Sequence, residues 1–290
     1  MRWLITGARG QLGTDVLRVL AERPDAEVRG YGSKELDITD RVAISRAVSE
    51  FRPDVIVNTG AYTAVDAAET DEDRAYAINA TGPALLAAEA ARTGAKLLQL
   101  STDYVFDGTA TEPYPVDAPT NPQSAYGRTK LAGEQAVREL APEHGYVIRT
   151  AWVYGAGGKN FVKTMARLEA NRETLTVVGD QIGSPTWTYD LAGRLVDLAR
   201  SDQPAGVYHL SGGGRTSWHG LAQAVFAELG QDPARVQAIT TAEYPTPAKR
   251  PAFSVLSDAE WLATGLPPMM DWQDALVAAF AADRSAYLPE

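Results

Sequence analysis

Residues 2–22 read RWLITGARGQLGTDVLRVLAE, and their order decides the fold class. The opening RWLIT is short and largely apolar, as a buried parallel strand is. Gly7, Gly10 and Gly13 follow at once, with Gln11 and Leu12 between the last two, and TDVLRVLAE then runs with helical period. Glycines at a strand-to-helix turn let the chain reverse sharply, bring backbone N–H groups against a pyrophosphate, and let the helix pack closely on the strand. The spacing is GxxGxxG rather than GxGxxG. The turn is therefore informative through its place between strand and helix more than through the pattern itself.

Working outward, Glu27–Tyr31, Asp54–Asn58 and Lys96–Leu100 read as further short strands separated by segments of helical period. This alternation predicts right-handed crossovers and an α/β, Rossmann-like doubly wound parallel sheet, with ligands beyond the carboxyl ends of its strands. The tip of the second strand carries Gly32, Ser33 and Lys34, where NAD-preferring sites place an acid. A hydroxyl and an ammonium suit a 2′-phosphate, which favours NADPH over NADH, although a loop lysine is also commonly just solvated. Asp37 and Ile38 follow, the carboxylate placed either to bond an adenine amino group or to make a turn ahead of RVAISRAVSEF. After the third strand, Gly60, Ala61 and Tyr62 offer a shelf for a flat cofactor, or a plain turn. Residues 71–93 read as one Ala-rich helix in which Asn79 is expected to make structural hydrogen bonds.

The fourth strand opens on STDYVFDG (101–108), and SAYGRTKLAGEQA (124–136) follows a Pro-rich loop. Tyr126 and Lys130 are four apart, so phenol and ammonium share one helix face. A phenol that exchanges a proton near neutrality needs a pKa below its usual value of about 10, and a cation in a dry cleft lowers it. Ser101 or Thr102 could then orient a carbonyl oxygen against the phenol. A Tyr and a Lys at this spacing also occur on ordinary surface helices. Chemistry is favoured here because the glycine turn, Gly60 and residues 101–104 all fall at the carboxyl ends of strands in one sheet.

A chain of 290 residues is long enough for a large domain plus a smaller lobe. Its formal charge of −10 argues against nucleic acid as a partner, because neutralising phosphates needs basic patches. An anionic small molecule would have to be held by backbone amides and a few Arg or Lys. There is no cysteine, hence no disulfide or thiol chemistry. MRWLITG runs straight into the glycine turn with no targeting pattern, and no apolar run approaches about 18 residues, so a cytoplasmic setting without membrane contact is expected.

TGARGQLG, NTGAYTAVDAAE, STDYVFDG, YGRTKLAGE and TAWVYG together resemble the extended short-chain dehydrogenase/reductase family. GKNFVKTM, DQIGSPT, GVYHLSGGGRTSWHGLA and YPTPAKRP are similar to its subgroup that reduces dTDP-linked keto sugars, so the likeness spans nearly the whole chain. The resemblance implies a Rossmann domain, residues 1–151 plus 187–211, and a smaller discontinuous α/β substrate lobe, residues 152–186 plus 212–290. It implies hydride transfer from NADPH or NADH to the 4-keto group of dTDP-4-dehydro-L-rhamnose, giving dTDP-L-rhamnose, with Tyr126 as proton donor. Lys130 would lower the phenol pKa and bond the nicotinamide ribose, and Thr102 would hold the keto oxygen. Gln11, Leu12 and Asn79 join the cofactor set by the same resemblance. Asp103, Tyr104, Val65 and Trp152 match positions that contact the sugar or close the pocket, and Asn160, Gln181 and Arg250 match holders of the nucleotide diphosphate or base. Trp152 also reads as packing, and Arg250 equally as a surface salt bridge.

Some features cut across the resemblance. The subgroup has Asn in an RPxNS motif, where this chain has Phe253 in RPAFSVL, which leaves the exact sugar open and admits sugars of antibiotic deoxysugar or streptose-type synthesis. Some relatives place Mg²⁺ between carboxylates at a dimer interface. Asp15 and Asp190 match two such positions with shorter arms than Glu and, as helix aspartates expected to be exposed, are expected to be solvated and not to hold a metal. Monomer and homodimer are equally compatible with the sequence. The same fold also serves nucleotide-sugar epimerases, which return their cofactor oxidised, and non-catalytic cofactor-binding regulatory subunits. The intact Thr102, Tyr126 and Lys130 set argues against the latter.

Overall fold

The protein is described by a computed structural model over residues 1–288. In chain order the first half comprises β1 (Arg2–Thr6), α1 (Gln11–Ala21), β2 (Glu27–Tyr31), α2 (Arg41–Phe51), β3 (Val55–Asn58), α3 (Val65–Ala68), α4 (Glu72–Tyr76), α5 (Gly82–Thr93), β4 (Lys96–Thr102), α6 (Ala125–Leu140) and β5 (Gly145–Thr150). There follow β6 (Val153–Tyr154), α7 (Phe161–Glu169), β7 (Leu175–Val178), β8 (Ile182–Gly183), β9 (Thr186–Trp187), α8 (Thr188–Arg200), β10 (Gly206–His209), β11 (Thr216–Ser217), α9 (Trp218–Glu228), β12 (Val236–Ile239), α10 (Ala259–Ala263) and α11 (Trp272–Tyr287).

Six strands form one parallel sheet in the order β10-β5-β4-β3-β1-β2. The chain steps from β1 to β2 on one side and to β3, β4, β5 and β10 on the other, so the direction of winding switches at β1 and β3. That is the Rossmann-like doubly wound arrangement, and ligands of such sheets sit outside the switch point. Alternate residues of the central strands face opposite layers. Trp3, Ile5, Val57, Leu98 and Ile148 pack with α1 and α8, while Leu4, Ile56, Leu97 and Val147 pack with α2, α5 and α6. Strands without a polar face are stable only when both faces are covered, and here both are.

The stretch expected to be one helix over 71–93 is broken. Between α4 and α5 lies a π turn, Ala77–Thr81, and α6 presses against it so closely that a Cβ on Gly133 would stand 2.1 Å from the Asn79 carbonyl oxygen. The widened turn makes room for that contact and turns Asn79 inward, a use typical of π insertions. Beyond the main sheet, β7 pairs with β12, β8 with β11 and β6 with β9. These elements cover a third core of Tyr154, Met165, Trp187, Phe226, Trp272 and Phe280. A fourth, small cluster joins the 105–114 loop to residues 253–256, and Phe253 is buried in it with Phe106, Tyr114 and Leu256. The aromatic ring that replaces the expected amide is thus part of an apolar core. Among the described residues no helix is long and apolar enough to cross a membrane.

Candidate active site

Three neighbouring strands end in side chains that bond one another across the sheet. Thr6 Oγ1 donates to Asn58 Oδ1 (2.5 Å), Asn58 Nδ2 to Gln99 Oε1 (2.7 Å), and Gln99 Nε2 to the Leu100 carbonyl (2.8 Å). Asn58 Oδ1 also accepts the Gly60 N–H (3.1 Å). A buried polar atom left without a partner costs about 1–3 kcal/mol, so this fully paired ladder holds the floor of the site in one arrangement. Above it the chain approaches itself closely. Gly7 has φ +66, where a Cβ would stand 2.6 Å from Gly60 N, and a Cβ on Gly13 would stand 2.3 Å from the Gly7 carbonyl oxygen. No side chain caps α1 at Gly10, so its first-turn N–H groups are left for another acceptor.

A cleft of about 580 Å³ opens over this turn, lined by Gly7, Gly10, Ser33, Asp37, Ile38, Gly60, Ala61 and Tyr62. Other residues of the expected cofactor set act differently. Lys34 is exposed outside the cleft lining. Leu12 packs its side chain against the core, leaving only its backbone to a ligand. Asp37 accepts from Thr39 N and Thr39 Oγ1, both at 2.8 Å, while Asp40 caps α2. Gln11 Oε1 accepts from Asn160 Nδ2 (2.9 Å). Asn79 binds both backbone groups of Tyr62 (2.8 and 3.1 Å) and Thr129 Oγ1 (3.1 Å), so it pins the shelf to α6 from beneath.

Tyr126 and Lys130 are on α6, whose start is fixed by Ser124 Oγ accepting the Gly127 N–H (3.1 Å), and Tyr126 packs around Ala68, Ala75 and Ala125 with Tyr62 of the cleft lining. Only a glycine at 127 permits this approach to the turn after β4, since a Cβ there would lie 2.3 Å from the Tyr104 carbonyl oxygen. Lys130 Nζ donates to the Leu100 carbonyl (2.6 Å), and the residue is 4% exposed. Burial draws the Lys130 ammonium down to about 8, against an upward pull from Glu134. Burial likewise pushes the Tyr126 phenol up to about 12, with a bond to Thr102 drawing it down and Asp103 pushing it up. The expected lowering of the phenol by Lys130 is therefore corrected. Lys130 spends a bond on Leu100 and is not among the groups acting on Tyr126, so the phenol is a firm proton holder. Of the two candidate hydroxyls, Ser101 donates to Glu134 Oε1 (2.5 Å), whereas Thr102 Oγ1 reaches Tyr126 and donates to Asp103 Oδ1 (2.9 Å). Asp103 is buried and pushed up to about 6 by that burial. Tyr104 stands edge-on to Tyr126, centroids 5.6 Å apart.

Further out, Trp152 has φ +47, a left-handed backbone that costs a non-glycine residue about 1–3 kcal/mol. Its indole stacks on Trp218 at 3.5 Å, and a Cβ on Gly183 would meet it at 2.4 Å. Gln181 Nε2 donates to Thr241 Oγ1 (3.0 Å), and Arg250 Nη2 to Asp66 Oδ2 (2.7 Å). Asn160 caps α7 and bonds Gln11 and the Gly155 carbonyl, so its amide is engaged within the fold. Val65 is the first residue of α3, directly before Asp66.

A family model described as the RmlD substrate binding domain matches residues 1–285. The chain belongs to that family. A dTDP-4-dehydrorhamnose reductase of Streptomyces griseus is 50% identical over 285 residues, covering 97% of this chain and 93% of the relative. A dTDP-4-keto-6-deoxy-D-glucose reductase of Streptomyces niveus is 44% identical over 279 residues, 96% of each chain. The crystal structure of dTDP-4-dehydrorhamnose reductase from Bacillus anthracis in complex with NADP superposes with a TM-score of 0.93 at 38% identity, covering 97% of this chain and 99% of that one.

For an RmlD-type chain, the cleft fits a dinucleotide on its own chemistry: a glycine cradle that any Cβ would fill, uncapped helix amides, and a lining arginine. That arginine, Arg9, was missed in the sequence although it stands inside the glycine motif. It lies over Gly32, where a Cβ would meet its Cδ at 2.9 Å, lines the cleft beside Ser33, and pairs with Glu35. A metal does not fit in the same way. Asp15 and Asp190 are not exposed, as expected, but 4% and 8% exposed. Asp15 accepts from Thr188 Oγ1 (2.5 Å), and Asp190 accepts from Met270 N (2.8 Å) and faces Arg194. Burial raises both carboxyls, and no group of three or more ligating side chains that could hold a metal occurs among the described residues.

Proposed function

We propose that the chain catalyses NADPH-dependent reduction of the 4-keto group of dTDP-4-dehydro-L-rhamnose to dTDP-L-rhamnose. The observation that carries the reading is that the helix bearing Tyr126 and Lys130 is joined to the glycine-lined cleft through Tyr62 and Asn79, with Thr102 beside the phenol, in a member of the RmlD family. The reduced nicotinamide supplies the hydride that the 4-keto carbon accepts. Thr102 Oγ1 and the Tyr126 phenol bond the keto oxygen, and the phenol gives it a proton as the carbon is reduced. Lys130 bonds the nicotinamide ribose. Residues 1–151 plus 187–211 bind the dinucleotide, and 152–186 plus 212–290 bind the nucleotide sugar, with Val65, Asp103, Tyr104 and Trp152 at the sugar and Gln181 and Arg250 toward the nucleotide. Asn160 contributes through the α7 terminus that it caps. A cytoplasmic enzyme goes with this reading.

Arg9 and Ser33 meet the 2′-phosphate of NADPH, a charge-assisted contact that NADH cannot make. Arg9→Ala is accordingly expected to raise KM for NADPH about tenfold while KM for NADH barely moves; equal changes for both cofactors would remove Arg9 from that role.

The reading as a whole is tested by following NADPH absorbance with enzymatically generated dTDP-4-dehydro-L-rhamnose. Stoichiometric oxidation with dTDP-L-rhamnose as product is expected, and an epimerase would leave the cofactor unconsumed. The likeness to the Streptomyces niveus reductase favours a second reading, a related 4-keto nucleotide sugar of antibiotic synthesis. Oxidation with dTDP-4-keto-6-deoxy-D-glucose alone would establish it.

A further inference from the structure

Asp66 bridges the two halves of the molecule beside the active site. It lies on α3, just after the cofactor shelf, and accepts the Ala248 N–H (3.1 Å) with Oδ1 and Arg250 Nη2 (2.7 Å) with Oδ2, the latter across 184 residues of sequence. Arg250 Nη1 donates to the Ala248 carbonyl (3.1 Å), so the 246–251 loop is folded around its own guanidinium. Arg250, Lys249, Tyr104 and Ser124 border one small cavity. Burial chiefly sets the Tyr104 phenol, and both Arg250 and Asp66 are close enough to act on it. Tyr104 in turn stands against Tyr126. The ion pair is thus one aromatic ring away from the phenol that reacts.

We infer that Asp66 is a positioning residue that fixes Arg250 at the mouth of the active site, so that the unused N–H groups of its guanidinium meet the diphosphate of the nucleotide sugar. The inference rests on the reductase reading. A guanidinium has five N–H donors, and Asp66 and Ala248 take two of them. The remaining three are free for an anion, and a planar fork already held in place loses little freedom when it binds one. A chain of net charge −10 attracts no anion through its overall field. It has to present particular cations, and the clamp keeps this one from turning into solvent. Exposed Lys249 on the same loop adds a second positive charge.

Asp66→Asn separates the two bonds. The amide oxygen still accepts from Ala248, while the amide nitrogen that replaces Oδ2 repels Arg250 instead of holding it. The expected result is a KM for the nucleotide sugar raised about tenfold, with kcat and KM for NADPH within about twofold of wild type. Asp66→Glu restores most of the loss, and in an Arg250→Ala background Asp66→Asn adds nothing further. The inference is overturned if KM for the sugar is unchanged, if the loss is as large in the Arg250→Ala background, or if both KM values shift together with Tm. Calorimetric titration with dTDP keeps the two claims apart. A wild type that binds dTDP but oxidises no NADPH sinks the proposed reaction, and the same titration of Asp66→Asn still tests the clamp.

Discussion

Tyr126→Phe is expected to lower kcat about 10²-fold or more while leaving NADPH affinity nearly intact. The substitution removes one hydroxyl from a ring whose position is set elsewhere, by the edge of Tyr104 and by the closeness of α6 at Gly127 to the turn after β4. Phenylalanine therefore fills the same place, and what is lost is the proton. That proton is held tightly, since burial keeps the phenol at about 12. Reduction of a ketone nevertheless creates an alkoxide more basic still, so transfer from phenol to oxygen runs downhill. Lys130 is charged below about 8 and neutral above it. Activity should therefore fall as pH rises through about 8, the range of the ammonium. Single-turnover measurements across pH 6 to 10, with cofactor binding followed by fluorescence, check both points. A Tyr126→Phe variant of normal turnover would remove the phenol from the reaction.

The parts of the fold legible in the sequence were those with one physical solution. A glycine triplet between an apolar run and a helical segment has few uses, and the structure shows why each glycine is needed at 7 and 13. Tyr126 and Lys130 were legible because helical spacing alone puts them on one face. What could not be read is set by contacts distant in sequence. The Thr6, Asn58 and Gln99 ladder joins three strands whose polar ends have no local pattern. Asp15 and Asp190 look like ordinary surface acids on helices until α1 and α8 are packed together, which leaves them only 4% and 8% exposed. The phenol pKa went the opposite way from expectation because spacing reveals that a cation is near but not what it is bonded to. Lys130 faces Leu100, and burial then dominates both groups. Asp66 carried no signal of its own, since its partners lie in a loop near the other end of the chain.

Glu134→Ala should cost about 3–5 kcal/mol of stability, the largest loss expected from a residue that touches neither ligand. Glu134 and Arg149 form an ion pair with side chains 2% and 4% exposed. Arg149 Nη2 donates to Glu134 Oε2 (2.8 Å), and its Nε reaches both carboxylate oxygens (3.0 and 3.2 Å). Ser101 supplies a further donor, and Arg149 Nη1 donates to the Val116 carbonyl (3.0 Å). His209, 3.4 Å from Nη1, is drawn down to about 3 by burial and then by Arg149, so it stays neutral and adds no second charge. Removing the carboxylate leaves the guanidinium buried with no counter-charge, which costs far more than the pair contributes over an apolar replacement. Replacing both partners, Glu134→Leu with Arg149→Met, should therefore recover most of the loss in urea unfolding; a single variant that loses under about 1 kcal/mol would show that water reaches the pair. The milder Glu134→Gln links this to catalysis. Glu134 is the group that holds the Lys130 ammonium up against burial. Without its charge Lys130 deprotonates at lower pH, and the alkaline fall in activity should move below about 8 in a protein that still folds.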